Sequence, residues 1–136
     1  MTILVTGATG NVGRNVVEQL VNRGADVRAL VRDPSKASFP ISVEVVQGDL
    51  LDVDSLRQAM SGVSTLFLLN GVVADEYTQA LIALNLAREA GIERIVYLSV
   101  IHSDIYVNVP HFAGKFGVER MIEHMGLSAT ILRPAY

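Results

Sequence analysis

Short apolar runs alternate with longer amphipathic stretches along the whole chain. The runs predict strands at Ile3–Thr6, Val27–Val31, Val43–Val46, Thr65–Leu69, Arg94–Ser99 and Ala129–Leu132. Between them, apolar residues recur at helical spacing. The first helix is expected from Asn11 to Arg23, with Val12, Val16, Leu20, Val17 and Val21 on its inner side and Gly24 as its stop. "LDVDSLRQAMSGV" starts at an Asp cap and is expected to bury Val53, Leu56 and Met60. Further helices are expected from Asp75 to Ala90 and from His111 to Met125, each followed by a glycine. The Pro-bounded "RDPSKASFP" leaves room for one helical turn. Strands apolar on both faces belong in a parallel sheet covered by helices on both sides. Six of them alternating with helices predict a doubly wound α/β fold, read as one domain over residues 1–136.

Composition narrows the setting. Half of the 136 residues are hydrophobic, yet no apolar run approaches the roughly 20 residues that span a bilayer. No basic segment with a cleavage site precedes the first strand, so a cytoplasmic protein without membrane association is expected. The chain has no cysteine, which excludes disulfides, thiolate metal sites and a cysteine nucleophile. A net charge of -3 argues against direct nucleic-acid binding, which needs a basic surface. The three histidines show no metal-ligand spacing, and His102 and His124 read as structural or surface groups.

The first strand runs directly into "TGATGNVGRN", with glycines at 7, 10 and 13. Glycine permits the tight turn that a parallel strand needs before its crossover helix. The helix start also carries unpaired N–H groups and partial positive charge, and so receives a pyrophosphate where no side chain intervenes. Gly7 is assigned the turn, Gly10 the close approach to phosphate, and Gly13 the close packing of helix on strand. A phosphate-binding P-loop would need Lys-Ser/Thr after the last glycine, where Arg14-Asn15 stand. A nucleophile elbow would need glycines around its serine, which "YLSVI" lacks.

The pieces "VTGATGNVGRNVVEQL", "VRALVRDPSK", "VQGDLLDVDSL", "GIERIVYLS" and "LSATILRP" are collinear and cover nearly the whole chain. Together they resemble the extended and atypical short-chain dehydrogenase/reductases, specifically the NmrA-like group. The resemblance implies a Rossmann fold whose glycine loop, here Gly7, Thr9, Gly10, Asn11, Val12 and Gly13, binds NAD or NADP. At the end of the second strand, Val31 stands where NAD-specific relatives carry an acid, and Arg32 follows with Lys36 near it. An arginine there suits a 2′-phosphate. NADP is therefore the expected cofactor and NAD the alternative. Asp33 reads either as a ribose ligand or as the cap of the next turn. The resemblance further implies that Asp49 accepts from the adenine amino group and Leu50 flanks its ring, that Asn70 and Gly71 approach the adenosine ribose, and that Pro134 passes the nicotinamide.

Reductases of this superfamily use a serine, a tyrosine and a lysine. Ser99 or Ser103 matches the serine and Lys115 the lysine, which in the family also contacts cofactor. Four residues before Lys115 stands His111 instead of tyrosine. Imidazole titrates near neutrality and can transfer a proton, so Lys115, His111 and Ser99 are the candidate catalytic set. Three readings stay open: a reductase of quinone-like or other small carbonyl acceptors, a non-catalytic NADP sensor acting through a protein partner, and a dinucleotide-binding fragment with no activity of its own. Relatives continue beyond the sixth strand with a region that covers the substrate, whereas this sequence stops at Tyr136, so that region is expected to be absent and the substrate is not readable. Finally, Ile82 and Leu86 fall on a helix face expected to turn away from Leu81 and Leu84. That face implies either a homodimer, with Phe112, Phe116 and Met121 as companions, or cover by a further segment.

Overall fold

The computed structural model describes residues 1–135; Tyr136, at the end of the loop expected beyond the sixth strand, lies outside the described residues. Among the described residues, six strands and four α-helices follow in the order β1 (Thr2–Val5), α1 (Asn11–Asn22), β2 (Asp26–Val31), β3 (Glu44–Gln47), α2 (Val53–Ala59), β4 (Val63–Leu68), α3 (Glu76–Glu89), β5 (Arg94–Leu98), α4 (Pro110–Met125) and β6 (Ser128–Leu132). A single 3-10 turn, Pro34–Lys36, occupies the Pro-bounded connection. The strands form one parallel sheet in the order β3-β2-β1-β4-β5-β6. This is the doubly wound α/β fold expected from the pattern, a Rossmann-like arrangement.

Right-handed crossovers running outward in opposite directions from β1 place α1 on one face of the sheet and α2, α3 and α4 on the other. Two apolar clusters result. The larger joins Leu4, Leu66, Leu68, Ile95 and Tyr97 from the sheet to Leu56, Leu84, Val118 and Ile122 from the three helices. The smaller joins Val5, Val27 and Ala29 to Val17 of α1. The two faces are covered unequally. Along β5, Ile95 and Tyr97 are buried under the three helices, whereas Val96 and Leu98 point to the α1 face and are half-buried.

Expectations about burial need correction at four residues. Val12 and Val53 stand in the first turns of α1 and α2 and are exposed, because each lines an open groove, Val12 with Val16, Leu20 and Phe67, and Val53 with Tyr77, Ile82 and Leu86. Leu86 is buried and Ile82 half-buried against the larger cluster. α3 lies between α2 and α4, so apolar residues on several of its sides meet neighbours within the chain. Its approach to α4 is close: a Cβ at Gly117 would stand 2.7 Å from the Tyr77 ring. The face expected to turn outward is thus largely internal.

Candidate dinucleotide and proton-transfer site

The strands' carboxyl ends open a crevice where β1 is flanked by β2 and β4, the point from which the chain winds in both directions. Thr6 pins this point. Its hydroxyl donates to the Leu69 carbonyl at 2.7 Å and accepts from the Leu69 N–H at 2.9 Å. Gly7 then turns with φ +59°, and the Gly10 N–H bonds back to the Gly7 carbonyl at 3.1 Å. Gly10 caps α1 without a side-chain bond, so the first-turn N–H groups at Asn11, Val12 and Gly13 have no partner within the helix.

The glycines differ sharply in what surrounds them. A Cβ at Gly13 would stand 1.9 Å from the Gly7 carbonyl oxygen. At Gly10 the nearest atom, again the Gly7 oxygen, would be 3.4 Å away. Gly13 therefore lets helix and loop pack, while Gly10 keeps a space open that any side chain would enter. That is the fit a pyrophosphate requires.

Beside the loop lies a cleft of about 180 Å³, lined by Gly7, Thr9, Arg32, Asp49, Leu50, Asn70 and Gly71 among others. These are residues that the sequence nominated from four separate stretches. Val73 and Gln79 also line it and were not anticipated. Asp33 caps the following turn, accepting from the Ser35 N–H at 3.1 Å and the Ser35 hydroxyl at 2.6 Å. It is thus engaged locally, and Arg32 is the charged residue of this stretch that lines the cleft. Lys36 is exposed on the same turn and does not line the cleft. One Asp49 oxygen accepts the Leu51 N–H at 2.8 Å. Asn70 donates to the Glu76 carbonyl at 2.8 Å, and its own Oδ1 is buried with no hydrogen-bond partner among the described residues.

The second group of nominated residues gathers at the ends of β5 and β6 and on α4. Lys115 is buried. Its Nζ donates to the Leu98 carbonyl at 2.9 Å and lies 4.9 Å from the centre of the Tyr97 ring. Burial pushes the ammonium pKa below its usual value, against an opposing pull from Glu76. The Tyr97 phenol is raised far above its usual value, by burial first and then by Glu76 and Glu119. His111, one turn before Lys115, has Nδ1 2.7 Å from Glu76 Oε1. Pro134 is tied to this region by the Ile101 N–H, which donates to its carbonyl at 3.1 Å.

Ser99 has a different setting from the one expected of a substrate-orienting group. It is buried, and its hydroxyl donates to Glu119 Oε2 at 2.5 Å. Ser103 donates to the same oxygen at 3.1 Å, and Arg133 Nε to Oε1 at 3.0 Å. Glu119 thus clamps the ends of β5 and β6 onto α4. Burial, the largest influence, opposes its charge, but hydrogen bonds from Arg133, Ser99 and Ser103 together outweigh it and hold the carboxyl below its ordinary 4.5. A group with a depressed folded-state value stabilises above that ordinary value and loses its contribution as pH falls through the folded one. Glu119→Gln is therefore expected to cost about 2 kcal/mol near neutrality. Thermal unfolding between pH 3 and 7 should show the gap from the parent closing below 4.5. A gap independent of pH would remove the carboxylate from this account.

The NmrA-like family model matches residues 1–136. The chain belongs to the NmrA-like family. This NmrA-like chain is 30% identical over 143 residues to the photosystem II assembly factor Ycf39 of Cyanophora paradoxa, a match covering 98% of this chain and 44% of that protein. Among solved structures it superposes on Citrobacter sp. triphenylmethane reductase complexed with NADP(H), with TM-score 0.89 and 30% identity, over 100% of this chain and 50% of that one. It also superposes on the NADPH-dependent quinone oxidoreductase of Escherichia coli complexed with NADPH, with TM-score 0.87 and 32% identity, over 96% and 48% of the two chains. The NmrA-like chain spans half or less of the length of these relatives.

Sequence reasoning passed over Glu76, Glu119 and Arg133. Glu119 offered one signal: it follows Lys115 by one turn, on the side of α4 that carries the buried Val118 and Ile122. Glu76 looks like an ordinary first-turn acid, and its partner stands 35 residues away on another helix. Among the described residues no helix is long and apolar enough to cross a membrane, and no cluster of metal-ligating side chains occurs.

Proposed function

We propose that this chain is an NADP(H)-binding oxidoreductase acting on quinone-like or other small carbonyl acceptors. The observation that carries the reading is the open space at Gly10 beside a cleft rimmed by Arg32. Its support is the fold shared with structures that hold NADP(H) and NADPH. When bound, the reduced nicotinamide would supply a hydride. The chain's own residues would do the rest. The first-turn N–H groups of α1 receive the pyrophosphate, with Thr9 at the loop's rim. Arg32 holds the 2′-phosphate, and Lys36 adds positive charge nearby. Asp49 accepts from the adenine amino group, Leu50 flanks the ring, and the backbone at Asn70 and Gly71 borders the adenosine ribose. The Lys115 ammonium keeps two N–H donors beyond its bond to Leu98 for the second ribose. Pro134 borders the nicotinamide, Ser99 braces this end of the site through Glu119, and His111 passes a proton.

Arg32→Ala should weaken NADPH binding about ten- to a hundredfold while leaving NADH nearly unchanged, because a charge-assisted contact to phosphate is worth roughly 1.5–3 kcal/mol. Fluorescence titration with both nucleotides checks this, and equal losses would refute the 2′-phosphate clamp. Turnover is tested by NADPH oxidation with a panel of quinones and aldehydes. Histidine at position 111, where the family's tyrosine is expected, favours a second reading: an NADP sensor acting through a protein partner. Tight NADPH binding without turnover of any acceptor would select it.

A further inference from the structure

The region beyond β5 and β6 is held by more than strand pairing. The paired residues end at Leu98 and Leu132. Past them, the Ser99 N–H donates to the Leu132 carbonyl at 2.8 Å and the Ile101 N–H to the Pro134 carbonyl at 3.1 Å. Two buried charges of α4, one helical turn apart, reach the same place. Lys115 bonds the Leu98 carbonyl. Glu119 takes the hydroxyls of Ser99 and Ser103 on one oxygen and the Arg133 guanidinium on the other. Every one of these Glu119 partners lies beyond a strand end. An apolar side chain would secure α4 to the sheet without desolvating a charge. Glu119 is 2% exposed, so its carboxylate is kept inside for what it holds. Part of what it holds is strained. His102, between Ile101 and Ser103, has φ +60° and is the one non-glycine residue with positive φ among the described residues. A left-handed residue with a side chain persists where its surroundings over-determine it. Here Ile101 is fixed to Pro134 on one side, and Ser103 to Glu119 on the other.

We propose that Glu119 is a positioning residue for the nicotinamide end of the dinucleotide. It fixes the turn at residues 101–103 and the Arg133–Pro134 loop against each other, and so sets the pocket wall at Pro134 and the Leu98 carbonyl on which Lys115 is seated. This rests on the reading above, which puts the nicotinamide at Pro134 and its ribose at Lys115. Without the carboxylate, Ser99 and Ser103 lose their acceptor, His102 relaxes toward negative φ, and Ile101 moves off Pro134. The effect goes beyond stability, because it falls on one half of the ligand. The adenosine half sits on the glycine loop and Arg32, in a cleft lined by none of these residues.

Titration of the full chain with NADPH and with adenosine 2′,5′-bisphosphate separates the two halves, since the second ligand carries the adenine, ribose and 2′-phosphate but no nicotinamide. Glu119→Ala should weaken NADPH about tenfold, the loss expected from one or two ordinary hydrogen bonds. Binding of the bisphosphate should stay within about twofold of the parent's, because distant sites act independently. Ser103→Ala removes a single hydroxyl and carries the test if Glu119→Ala does not fold; it should weaken NADPH selectively by about two- to threefold. Glu119→Gln, which keeps an acceptor for Arg133 in nearly the same volume, should recover part of the affinity. Equal weakening of both ligands by these variants, or of neither, would overturn the proposal, as would a parent that binds the bisphosphate as tightly as NADPH. A parent that binds neither ligand overturns the NADP(H) reading instead, and amide hydrogen exchange then still decides the positioning. In the variants the Ser99 and Ile101 amides should exchange about tenfold or more faster than in the parent, beyond any change at the core amides of Leu4 and Leu66. Acceleration no greater than at Leu4 and Leu66 would overturn it.

Discussion

Gly13→Ala is expected to be the most damaging single-atom change in the molecule. The added Cβ would stand 1.9 Å from the Gly7 carbonyl oxygen, 2.7 Å from its carbon and 2.9 Å from Ala8 Cα. All three are backbone atoms, so no side-chain rotation relieves the clash. α1 must move off the loop, and Val17 in the smaller core moves with it. Overpacking of this kind costs about 3 kcal/mol, on the order of a 10 °C fall in thermal midpoint for a chain of this size. NADPH binding should be lost as well, because the displaced helix no longer presents its first turn. Gly71→Ala is the matched control: its Cβ would meet nothing within 4 Å, so its midpoint should barely change. A Gly13→Ala protein as stable as Gly71→Ala would show that helix and loop do not pack as described.

Gly10→Val should behave in the opposite way. The fold tolerates it, because Gly10 already has extended dihedrals (φ -73°, ψ 172°) and its Cβ has only the Gly7 oxygen nearby, at 3.4 Å. A cost near 1 kcal/mol is expected from placing a poor residue at the helix cap. Binding should fall about a hundredfold or more, since the isopropyl group fills the space for the pyrophosphate and withholds several charge-assisted hydrogen bonds. Circular dichroism and an NADPH titration on the same sample separate the two effects. A folded Gly10→Val protein that binds NADPH as the parent does would place the nucleotide elsewhere. The pair of variants distinguishes the glycine that shapes the loop from the glycine that makes space for a ligand.

The strands were legible because each is a short apolar run, and their observed bounds differ from the expected ones by one or two residues at most. The glycine loop was legible because its chemistry is local: turn, helix start and anion site lie within a few residues. The cleft was legible as far as each contributor marks the end of a strand, as Arg32, Asp49 and Asn70 do. Burial at helix starts was not. Periodicity assigns Val12 and Val53 to an inner face but does not show which grooves beside a helix stay uncovered. Nor did periodicity show that α3 has neighbours on two sides, which is why Leu86 looked like an outward-facing residue. The buried carboxylates were the least legible of all. Glu76 and Glu119 find their partners 35 and 14 to 20 residues away, across elements that only the strand order brings together.

The central claim is that NADPH seats on the α1 glycine loop and extends across the strand ends. Amide chemical-shift mapping of the nitrogen-15-labelled chain during NADPH titration tests it most directly. The account predicts saturable shifts concentrated at Gly7 to Gly13, at Arg32 and at Asn70 and Gly71, with NADH producing weaker shifts at Arg32. Absence of saturable shifts, or shifts centred away from the carboxyl ends of β1, β2 and β4, would contradict it.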